Sequence, residues 1–98
     1  MLFMQIYKPK AGFTHEDQKK ALKLWENWSP PEGMEIKSFY TSPDGRGFLL
    51  IESSSAEAAF EGMALWAGVY LDYEFVPVVE IEKAVPLLNK AISSRESA

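Results

Sequence analysis

Polar and apolar positions follow three rhythms along this chain, an unbroken apolar run, strict alternation and a three-to-four-residue repeat, and together these predict seven elements. Met1 to Tyr7 is a nearly uninterrupted apolar run and reads as a strand, closed by the turn residues Lys8-Pro9-Lys10-Ala11-Gly12. Thr14 suits a helix N-cap, and Glu16 and Asp17 after it suit the positive end of a helix dipole. Ala21, Leu22, Leu24, Trp25 and Trp28 then recur at helical spacing, with Lys19, Lys20 and Lys23 opposite as a solvated face. Ser29 to Gly33 ends that helix.

Met34 to Thr41 alternates, with Met34, Ile36, Ser38 and Tyr40 on one side and Glu35, Lys37, Phe39 and Thr41 on the other. Ser42-Pro43-Asp44-Gly45 has turn chemistry, so Gly47 to Ser53 returns as the second arm of a hairpin. Ser54 and Glu57 have capping-box spacing for a second helix to about Ala67, with Gly68 as its stop. Tyr70 to Val79, rich in aromatic and β-branched residues, is the fourth strand. Ala84, Val85, Leu88, Ala91 and Ile92 mark a last helix over residues 81–93, with Pro86 expected in its first turn and a frayed tail over 94–98. The whole is one domain, its core within residues 1–80.

Side-chain pattern sorts the strands. The first and third are apolar on both faces, as interior strands are when both sides of a sheet are covered. The second carries Glu35 and Lys37, and the fourth carries Asp72, Glu74 and Pro77, residues that belong on edges. The expected architecture is α+β: a ferredoxin-like βαββαβ unit with antiparallel sheet order 4-1-3-2 and an added C-terminal helix. Such a unit puts both main helices on one face of its sheet. Burying one large apolar side chain is worth roughly 1.5–3 kcal/mol, so an open, greasy second face is an association surface. The expected partner is a second copy, since two-fold dimers are the commonest oligomers; the alternative cover is the C-terminal helix.

Two segments carry a resemblance, Met1-Leu2-Phe3-Met4 at the start and Tyr73-Glu74-Phe75-Val76-Pro77-Val78 at the close. With the element order, they make the chain resemble the dimeric α/β-barrel superfamily, in which two ferredoxin-like sheets pack face to face, and most of all a group of small bacterial proteins in it. The likeness covers roughly residues 1–80. It implies a homodimeric barrel and a pocket but no one reaction, since the superfamily includes cofactor-free monooxygenases, haem-degrading enzymes, lactone isomerases and ligand-sensing domains.

Charge and composition narrow the chemistry. The formal charge of −4 opposes nonspecific binding to nucleic acid or to an anionic membrane surface. With no cysteine, thiolate catalysis, disulfides and Cys-ligated metals are excluded. No run is apolar for the ~20 residues a membrane helix needs, and no leader pattern precedes the first strand, so a cytoplasmic protein is expected. His15 is the lone histidine and reads as an exposed helix-start residue; no metal or cofactor is expected. Asp72, Glu74, Glu52 and Glu35 are the strand carboxylates, any of which would need burial to serve as a base.

The alanine-rich second helix leaves room beside the sheet for an apolar small molecule, or else packs closely on it. Trp25, Trp28, Tyr40, Phe60, Met63, Trp66 and Tyr73 are the candidate lining residues, with Tyr70 as a further candidate. The leading expectation is a homodimer that binds an apolar small molecule or acts as an interaction module. The alternative is a cofactor-free monooxygenase- or isomerase-like enzyme. An RNA-recognition module has the same element order, but Leu50 and Glu52 stand where stacking aromatics would be needed.

Overall fold

A computed structural model describes residues 1–67 and 71–98 of the chain. The order is β1 (Leu2–Pro9), α1 (His15–Glu26), β2 (Met34–Thr41), β3 (Gly47–Ser53), α2 (Ala56–Ala64), β4 (Leu71–Val78) and α3 (Ile81–Ser97). The four strands form one antiparallel sheet in the order β2-β3-β1-β4, the expected order read from the other edge. The fold is α+β and ferredoxin-like in appearance. The expected stop at Gly68 and the start of the fourth strand at Tyr70 lie outside the described residues.

Local chemistry sets the element ends. Thr14 Oγ1 accepts from the Asp17 amide at 3.1 Å and Asp17 Oδ2 accepts from the Thr14 amide at 3.0 Å, a reciprocal cap that starts α1. The cap of α2 is Ser55 rather than Ser54: its Oγ accepts from the Ala58 amide at 3.1 Å, while Ser53 Oγ donates to the Ser55 carbonyl at 2.7 Å. The β2–β3 hairpin turns at Gly45, whose φ of +88° a side chain rarely adopts, with Arg46 Nε donating to Asp44 Oδ2 at 2.8 Å. Pro86 is the sixth residue of α3 and so lies past its first turn, where it removes a helical N–H.

The core lies on the helix-bearing face. Phe3, Met34, Leu49, Ile51 and Ala59 are buried there, with Phe75 stacked on Phe3 at 4.6 Å between centroids. On β2 the expected alternation breaks. A bulge between Ile36 and Ser38 shifts the register, so that Phe39 pairs with Leu49 and Tyr40 with Phe48. Phe39 therefore joins Met34 and Ile36 on the helix-bearing face, and Ser38 and Tyr40 turn to the other.

That other face carries Leu2, Met4 and Ile6 on β1, Phe48 and Leu50 on β3, and Val76 and Val78 on β4, all partly or well exposed. The sheet is open on this side. Among the described residues, neither α1 nor α3 brings its backbone close to another element. α1 reaches the sheet through side chains; α3 projects, leaving Ile81, Val85, Leu88 and Ile92 exposed. The radius of gyration, 16.8 Å, exceeds the ~13 Å of a compact chain this long. No described helix is long and apolar enough to cross a membrane.

Candidate functional site

Because α1 stands off the sheet, a cleft of about 480 Å³ lies between them. Its walls follow from the fold. The helix-bearing face supplies Gln5 and Tyr7 from β1, Phe39 from β2 and Tyr73 from β4; α1 supplies Trp25, and the segments after α1 and α2 supply Trp28 and Trp66. The aromatic rings form a connected set. Trp25 meets Phe39 edge-on at 5.1 Å and Trp28 meets Trp66 edge-on at 5.6 Å. Across the floor, Tyr7 lies 6.1 Å from Phe39 and 6.0 Å from Tyr73, again edge to face. These are favourable quadrupole geometries.

Among the described residues, none that lines the cleft carries a charge. Its two phenols are neutral. Burial, with Tyr7 close by, raises Tyr73 far above the ordinary phenol value of 10.0. Burial also raises Tyr7, partly offset by a hydrogen bond with Thr41. Gln5 is 3 % exposed, and its Oε1 has no hydrogen-bond partner among the described residues. An unsatisfied buried acceptor costs about 1–3 kcal/mol, which makes Gln5 the least expected residue in the wall.

Of the seven candidate lining residues, Trp25, Trp28, Met63, Trp66 and Tyr73 border this cleft. Tyr40 does not: the bulge in β2 turns it to the open face, where it is 71 % exposed. Phe60 does not either. It is 78 % exposed on α2 and borders a separate, wholly apolar trough with Phe3, Ala59 and Phe75. Nor does α2 need cover all round: Ala58, Ala59 and Gly62 are its buried face, and Gly62 lets Met34 pack close.

Gln5 and Phe39 escaped sequence reasoning. The signal for Gln5 was present, as the one polar residue in the run Met1 to Tyr7. For Phe39 there was none, since a bulge leaves no mark in the alternation. His15 is exposed at the start of α1, and Asp72, Glu74 and Glu35 are exposed on edge strands. Glu52 pairs with the Met1 amino group at 3.0 Å.

An open antiparallel sheet with two helices over one face and an aromatic cleft beneath one of them defines the class. The chain belongs to the family described as a domain of unknown function, DUF3303, whose model matches residues 1–92. No curated protein and no solved structure matches it.

Proposed function

We propose that this protein binds an apolar small molecule in the cleft between α1 and the sheet, and that it does so as a homodimer closed across its open sheet face. The observation that carries the binding reading is the cleft itself: about 480 Å³, walled by a connected set of aromatic rings, with no charged lining residue among those described. Volume and lining fall within the range of small-molecule sites. Binding is favoured over catalysis because no histidine, carboxylate or lysine among the described residues borders the cleft. Tyr7 and Tyr73 are raised, the opposite of what a tyrosinate base requires. The dimer rests on the greasy open face, and its joining two sheets into a barrel agrees with the superfamily resemblance.

Calorimetric titration with naphthalene tests the binding reading. Wild-type protein is expected to bind it, and Ala21→Trp, which fills the cleft from α1, is expected to abolish binding. Failure of the wild type to bind, or equal binding by the filled variant, would refute the cleft as a site.

A further inference from the structure

Tyr73 lies near the start of β4, opposite Tyr7 on β1, and both side chains border the cleft. Their rings meet edge to face at 6.0 Å. The two hydroxyls are held differently. Tyr7 hydrogen-bonds with Thr41, and Thr41 Oγ1 also donates to the Arg46 carbonyl at 3.0 Å. The Tyr73 hydroxyl has no hydrogen-bond partner among the described residues. Nor is it sealed. Among those residues, the polar side-chain atom that is both closed to water and unpartnered is Gln5 Oε1, which for that reason takes no part in the chemistry of the cleft.

Trp66 repeats the pattern. It is 8 % exposed, yet its indole N–H is neither sealed nor given an acceptor among the described residues. Elsewhere the wall is mixed, with aliphatic Ile36 and Leu49 and with Gln18 exposed on α1. An indole can only donate. A phenol donates better than it accepts, because its ring draws on the oxygen lone pair, and burial keeps Tyr73 protonated. A bound molecule that cuts such a donor off from water without replacing the bond loses affinity. The absence of charge among the described lining residues opposes an ionic occupant, because its charge would go uncompensated.

Building on the cleft reading above, we propose that the occupant is an uncharged aromatic carbonyl compound whose oxygen accepts from the Tyr73 hydroxyl. The rings of Trp25, Trp28, Trp66 and Phe39 give the aromatic part its contacts. Tyr73 thus selects among molecules of one shape. A site built around a hydrogen bond rejects the analogue that lacks it more strongly than apolar shape alone can.

The test compares two probes of nearly the same shape, 2-acetylnaphthalene and 2-isopropenylnaphthalene, which differ in C=O against C=CH2. Calorimetry at neutral pH gives the ratio of ketone affinity to alkene affinity. That ratio is expected to fall about 5- to 30-fold from wild type to Tyr73→Phe, the effect of one hydrogen bond from a donor that is otherwise stranded. Tyr73→Leu serves the same purpose should the phenylalanine variant fold poorly. A ratio unchanged by the substitution, or a loss of both probes together, overturns the role of the hydroxyl. A ratio that rises overturns the requirement for an acceptor. Binding of naphthalene by wild type without either substituted probe also overturns the inference and leaves the cleft standing, whereas failure of wild type to bind all three removes the cleft reading beneath it.

Discussion

Gly47 begins β3 directly against the Tyr7 ring, and a methyl group there would overlap the ring. Its φ is not the constraint; the close approach is. Gly47→Ala is expected to destabilise the fold by about 1–3 kcal/mol through overpacking, measured by urea unfolding. Because Tyr7 also floors the cleft, the variant should weaken naphthalene binding as well. The phenols carry a second expectation. A raised folded-state value means the folded protein holds its proton after the unfolded chain has released it. Stability from Tyr73 is therefore fully present below pH 10 and is lost as pH rises beyond it. Denaturant midpoints taken across that window should fall, and Tyr73→Phe should flatten the decline. A wild-type midpoint that stays level above pH 10 would show that Tyr73 is solvated.

Among the elements, β2 shows best what a sequence can hide. Met34 and Ile36 face the helices, Lys37 takes up the bulge, and Phe39 and Thr41 face the helices again. Alternation counted straight through places Phe39 with Lys37, one step out of phase. Deleting Lys37 should therefore remove the bulge and leave every side chain of β2 on its present face. The deletion variant is expected to fold, with stability within about 1–2 kcal/mol of the parent by thermal melting. Deleting Leu50 from β3, which has no spare residue, should abolish folding. Where one signal dominated, the elements were legible: the Thr14 cap with Asp17, the turn at Gly45, and the charges that mark β2 and β4 as edges. The cleft was less so. Trp25 and Trp28 follow from their spacing along α1 and Trp66 from the apolar run of α2, but the depth of the cleft depends on how far α1 stands from the sheet. Tertiary packing sets that gap, and no local pattern encodes it.

At the scale of the whole molecule, two surfaces of the sheet have opposite fates. One bears the core and the cleft. The other displays Met4, Ile6, Leu50 and Val76 at the centre, with Glu52, Asp72 and Glu74 toward the margins. Apolar centre and charged margin is the anatomy of a protein interface. Leu50→Lys should leave the fold of a single chain intact, because the side chain is on the open face, and should weaken self-association by 100-fold or more. Light scattering at micromolar concentration checks this, with wild type expected at twice the chain mass and the variant at once. A wild type that scatters as a single chain removes the dimer.

The projecting α3 has a practical bearing on that measurement. A rod of 17 residues, about 25 Å long, swings out from a body of ordinary size and increases its drag. Such a particle diffuses and elutes as though heavier than it is, so a lone chain would mimic a pair on a column calibrated with spheres. Stoichiometry for this molecule must come from weighing it, because its silhouette misleads.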